Sequence, residues 1–95
     1  MKFAFLIMGN FSMAQDRAEI GTGEAQIWGV ANLKEACQAA KTLQSEGVDC
    51  IELCGAFGPD GARAVIEATG NQLPVGYITH LPEQDALYSR VFGAH

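Results

Sequence analysis

The sequence is poor in charge and poorer still in positive charge. Only 18% of its 95 residues are Asp, Glu, Lys or Arg, and six basic residues face eleven acidic ones, for a formal net charge of −5. Lys2, Arg17, Lys34, Lys41, Arg63 and Arg90 are scattered along the chain. A polyphosphate backbone or an anionic membrane surface calls for a clustered basic footprint, so neither nucleic acid nor membrane is expected as a partner. No apolar run approaches the ~20 residues that span a bilayer. Lys2, the run Phe3 to Met8 and then Ser12-Met13-Ala14 imitate a secretory leader only faintly. Cysteine is scarce and odd in number: Cys37, Cys50 and Cys54. That favours free thiols in a reducing, cytoplasmic setting over a disulfide framework. Internal repeats and low-complexity tracts are missing too, as are the Gly-x-Gly-x-x-Gly spacing and the Lys-Ser/Thr ending of phosphate loops. Nucleotide binding is therefore discounted, and no cofactor or metal is expected.

What is there is apolar and periodic. At 48% hydrophobic the chain can bury a core, and its length suits one domain, residues 1–95, rather than two. Lys2 to Met8 is almost continuously apolar and ends at Gly9-Asn10, which predicts a strand buried on both faces. Gly9 to Gly23 is the longest irregular stretch, with a short helical turn conceivable over Ser12 to Ala18; loops of this length tend to be functional or mobile. Ala25 to Val30 predicts a second strand. Asn32 with Glu35 forms a capping box, Leu33, Ala36, Cys37, Ala40 and Leu43 recur at helical spacing, and Gly47 supplies the exit. Val48 to Cys54 predicts a third strand, Pro59 to Gly70 a second helix, Leu73 to Thr79 a fourth strand and Pro82 to Phe92 a third helix.

The resulting order, β-loop-β-α-β-α-β-α, implies a small α/β fold with a mainly parallel four-stranded sheet and right-handed crossovers. One helix layer is expected to leave such a sheet incompletely covered, so Trp28, Tyr77 and the aromatic C-terminal helix are candidate contacts in a homo-oligomer.

In open parallel sheets, ligands bind beyond the carboxyl ends of the strands. That rim gathers Asn10, the turn Cys54-Gly55-Ala56-Phe57 and His80, with Arg17 on the same side as counter-charge. Alternation places Cys50, Glu52 and Cys54 on one face of the third strand, and Ile51 and Leu53 on the other. A carboxylate in that position is expensive to bury alone. Glu52 is thus a candidate general acid or base, with His80 as its proton-transfer partner. The plainer alternatives are a structural carboxylate and a surface histidine. Cys50 and Cys54 lie ~13 Å apart along a strand, too far for a disulfide or a shared metal. Cys54, at the turn, is either a candidate nucleophile or a small buried residue. Phe57 is either a pocket wall or a side chain tucked over the core. His95 closes the chain without an assigned role.

Ile51-Glu52-Leu53-Cys54-Gly55 followed by Phe57-Gly58-Pro59, and again Pro74-Val75-Gly76, resembles a family of short bacterial proteins of about 100 residues known only as a domain of unknown function. The resemblance implies a compact α/β unit and carries no activity or catalytic residue with it. Locally, the third strand and its turn also resemble one βα unit of a (β/α)₈ barrel, which four strands cannot close. Three readings of function follow. The first is a cytoplasmic protein, oligomeric, that binds a small polar or acidic ligand at the strand rim through Arg17, Asn10, Cys54, Gly55 and Phe57. The second is an isomerase- or lyase-type enzyme using Glu52 with His80, and a purely structural interaction protein is a third alternative.

Overall fold

Strand and helix alternate as the hydrophobic spacing predicts, with one strand more than expected. The computed structural model describes residues 1–93; His95 lies outside them. Strands β1 (Phe3–Met8), β2 (Arg17–Ile20) and β3 (Ala25–Val30) precede helix α1 (Leu33–Ser45); β4 (Cys50–Leu53), α2 (Gly58–Ala68), β5 (Val75–Tyr77) and α3 (Asp85–Phe92) follow. Short 3₁₀ turns at Gly55–Phe57 and Pro82–Gln84 lead into α2 and α3.

The sheet has five strands in the order β2-β3-β1-β4-β5. β1 pairs in parallel with β3 and with β4, and β4 with β5, whereas β2 runs antiparallel to β3. The expected four-stranded, mainly parallel sheet is therefore corrected to a five-stranded mixed one. The additional strand sits inside the stretch predicted to be irregular. Arg17-Ala18-Glu19-Ile20 carries too few apolar residues to read as a strand alone, and it exists because the turn at Gly21 and Gly23, both at positive φ, folds it back onto β3. Of the helical turn expected over Ser12 to Ala18, the part up to Asp16 is present, closed by the Asp16 N–H donating to the Ser12 carbonyl at 2.8 Å, while Arg17 and Ala18 belong to β2.

α1 begins as its sequence dictates. Asn32 Oδ1 accepts from the Glu35 N–H at 2.9 Å, Glu35 Oε1 accepts from the Ala31 N–H at 2.8 Å, and Gly47 leaves the helix at φ 91°. The connections β3-α1-β4 and β4-α2-β5 carry the chain in the same direction across the sheet. Crossovers of one hand then place both helices on the same face. There the core forms: Ala4, Leu6, Trp28, Val30, Ile51 and Leu53 from the strands meet Ala36, Ala40 and Leu43 of α1 and Ala62 and Val65 of α2. The return from β1 to β3 runs through β2, an edge strand and not a helix, so it adds no helix to the opposite face, where Phe11 of the connection lies over Gly29.

That opposite face is open. Phe3, Phe5 and Ile7 of β1 and Ile27 of β3 stay close to 40% exposed, so the first strand is buried on one face and not on both. Trp28 points the other way. It is 4% exposed beneath the Arg17 guanidinium, 3.6 Å from its ring centroid, which removes it from the candidate oligomer contacts.

Candidate functional site

The carboxyl ends of β1, β4 and β5 open onto a groove of about 670 Å³. Ile7 and Met8 form its floor with Cys54, Gly55 and Ala56 of the turn after β4. Tyr77 to His80 make one side, and Tyr88 and Phe92 of α3 make the other. Backbone bonds fix the floor. The Cys54 N–H donates to the Leu6 carbonyl at 3.0 Å, the Met8 N–H donates to Cys54 Sγ at 3.3 Å, and the Ile78 N–H donates to the Leu53 carbonyl at 2.9 Å.

The wall is built differently. Residues of α3 are all exposed, and the helix is set against the rim by rings. His80 stacks on Tyr88 with centroids 3.9 Å apart and planes 10° from parallel, and Tyr88 continues to Phe92 at 5.6 Å. His80 Nε2 lies 2.7 Å from Asp85 Oδ1, at the first residue of α3. When Nε2 carries the proton in this bond, Nδ1 keeps a lone pair and can accept a proton or a hydrogen bond.

The structure thus brings Cys54, Gly55 and His80 together on one groove and leaves the other expected residues elsewhere. Arg17 opens the antiparallel edge strand. Held by Trp28 and by its Nε–H donating to the Met13 carbonyl at 2.7 Å, it borders a second, shallower hollow of about 420 Å³ with Gln26 and Glu46. Asn10 is exposed in the bend after β1 and does not line the groove. Phe57, at 6% exposure, is tucked into the core and not into a pocket wall, because the 3₁₀ turn swings its side chain under α2.

Glu52 lies half-buried on the open face, its carboxylate across Gly76 of the neighbouring strand, where a Cβ would stand 2.6 Å from Oε2. The Cys50 Sγ–H donates to Glu52 Oε1 at 3.3 Å. Burial first, then this bond and the adjacent carboxylate charge, push the Cys50 thiol up. Glu52 does not line the groove, and among the described residues no hydrogen bond joins it to His80. Sequence reasoning missed Asp85, Tyr88 and Ile7 as site residues. Their signal was available as His80 and Asp85 five apart across a proline-led helix start, and as the last outward residue of β1.

A model of a family of unknown function, DUF6506, matches residues 1–93. The chain belongs to that family. The resemblance carried by the Glu-Leu-Cys-Gly segment is thereby identified: in this member of DUF6506 its last two residues, Cys54 and Gly55, belong to the groove floor, and Pro74-Val75-Gly76 leads into the strand beside Glu52. No curated protein and no solved structure matches the chain. Among the described residues, no three His, Cys, Asp or Glu side chains gather as a metal site, and no helix is long and apolar enough to cross a membrane.

Proposed function

We propose that the chain is a small-molecule-binding protein whose ligand lies in the groove at the carboxyl-terminal rim of its sheet. The observation that carries this reading is the coincidence of a concavity of about 670 Å³ with the rim where open α/β sheets take their ligands. Binding clefts run to roughly 300–1,000 Å³ and combine an apolar lining with a few placed polar groups. Here the lining is largely apolar, with Thr79, His80, Cys54 and the hydroxyls of Tyr77 and Tyr88 as its polar members. The ligand that fits is a ring-bearing or aliphatic body with one hydrogen-bonding end directed at His80. This moves the expected polar or acidic ligand towards an amphipathic one. Arg17, set apart from the groove, does not serve as its counter-charge.

The His80–Asp85 pair supports a second reading, an acid/base enzyme. A carboxylate that orients an imidazole beside a cleft is a proton-transfer arrangement. In this version His80 is the centre, and Glu52 is not its partner.

The test is native mass spectrometry of the purified full chain, paired with titration of an anilinonaphthalene sulfonate probe. Wild type should retain a small molecule or bind the probe, and Ala56→Trp, which fills the groove from an exposed turn position, should weaken binding about tenfold or more (about 1.4 kcal/mol per decade). Unchanged affinity in a folded Ala56→Trp variant would place the ligand elsewhere.

A further inference from the structure

We propose that two copies of this chain pair through the uncovered face of the sheet, β1 of each at the centre of the interface. The inference is independent of any ligand in the groove. Strand register assigns the residues of that face: Ala18 and Ile20 of β2; Ala25, Ile27 and Gly29 of β3; Phe3, Phe5 and Ile7 of β1; then Cys50 and Glu52 of β4, next to β1, and Gly76 of β5 at the far edge. Parallel strands are found almost only in sheets covered on both sides. Here the one-directional crossovers leave four mutually parallel strands with a single helix layer.

The size of the face favours a lasting partner. Phe3, Phe5, Ile7, Ile20 and Ile27, with Phe11 folded over Gly29 and Ile78 beyond β5, are each between 37% and 67% exposed. At about 200 Å² per large side chain they present roughly 600 Å², at the upper limit of the largest apolar patch on an ordinary monomer. The small residues between them bring the face close to the ~800 Å² per partner of a standard stable interface.

Its chemistry selects a second copy. The only charged side chain among these positions is Glu52, and its carboxylate leans outward over Gly76, away from Phe5. A different protein would find no charge at the centre to recognise. A two-fold copy brings apolar centre to apolar centre, and sheets stack face to face in this way about 10 Å apart. Glu19, the other acidic residue carried on the strands, alternates onto the opposite face from Ala18 and Ile20, so the paired centres meet little like-charge repulsion. Ile7 and Ile78 belong to both the face and the groove, so the partner's sheet borders the groove mouth.

The experiment is size-exclusion chromatography with light scattering on the full chain at micromolar concentration. Wild type should run at twice the 10.1 kDa chain mass. Phe5→Glu at the centre, and Ile27→Glu on the next strand, should each halve that mass while keeping the helical circular dichroism, since neither touches the helix-side core. Leu87→Glu on α3 should leave the mass doubled. A wild type that runs as a monomer overturns the proposal without reference to any variant. So does a folded Phe5→Glu that stays dimeric, or a dimer broken by Leu87→Glu alone, which would assign the interface to the helix.

Discussion

Two glycines face similar crowding for different reasons, and their substitution should separate them. A Cβ at Gly76 would meet the tip of the Glu52 carboxylate at 2.6 Å, and one at Gly29 would meet Phe11 Cβ at 2.7 Å and Cγ at 2.8 Å. The carboxylate tip can swing away at the cost of its bond from Cys50. Phe11 cannot yield without shifting the backbone bend after β1, since the obstruction is at the root of its side chain. Gly29→Ala should therefore cost about 1–3 kcal/mol, the usual scale of overpacking, and Gly76→Ala less than about 1 kcal/mol. Urea unfolding of the two variants decides it; the reverse ranking would mean that the carboxylate, not the phenyl ring, is the fixed obstacle. The same contrast explains why Glu52 attracted attention in the sequence. Its alternation with Ile51 and Leu53 is real, yet what lies beside it is the Cys50 thiol, two residues back on the same strand, and Gly76 of the neighbouring strand, and only the first is legible from sequence.

At the scale of elements, α1 depends on its cap. Removing the Asn32 carbonyl leaves the Glu35 N–H without its partner, so Asn32→Ala should lower stability by about 1 kcal/mol, read as an earlier chemical-denaturation midpoint with unchanged slope. An effect near zero would show that Glu35 reaching back to Ala31 suffices alone. The bounds of this helix were legible because its signals are local: cap, apolar stripe and glycine exit all fall within sixteen residues, Asn32 to Gly47, although Leu33 of the expected stripe lies exposed and Ala39 takes a place in the core. β1, β3 and β4 were legible for the same reason, as apolar runs bounded by turn residues. β2 was not, because a four-residue edge strand with two charged members exists only through its partner. Where the groove lies could be inferred from strand direction, and the position of Cys54, Gly55 and His80 on it follows from chain ends meeting at one rim. Its wall could not, since the stacking of His80 on Tyr88 is a tertiary contact with no periodic trace.

For the whole molecule, the sheet with α1 and α2 is one cooperative body and the segment from Thr79 onward is an attachment to it. Among the described residues, all buried side chains precede Leu73, and residues 77–93 are exposed throughout. Ending the chain after Thr79 should therefore keep the circular dichroism of α1 and α2 and shift the unfolding free energy by no more than about 1 kcal/mol. The same truncation should abolish probe binding in the groove. Loss of the whole fold on truncation would show instead that α3 contributes to the core energetics.

The ring stack that holds α3 has a consequence for selectivity. A cleft whose two sides are both rooted in a core has a fixed width, and it rejects a guest one methylene too broad. In this chain the floor is rooted in the sheet, while both flanks, Tyr77 to His80 and a short helix with no buried residue, are exposed. A small tilt about the His80–Tyr88 stack changes the gap like the jaw of a caliper, so guests of differing girth are admitted at similar cost, and discrimination among them falls to the polar end at His80.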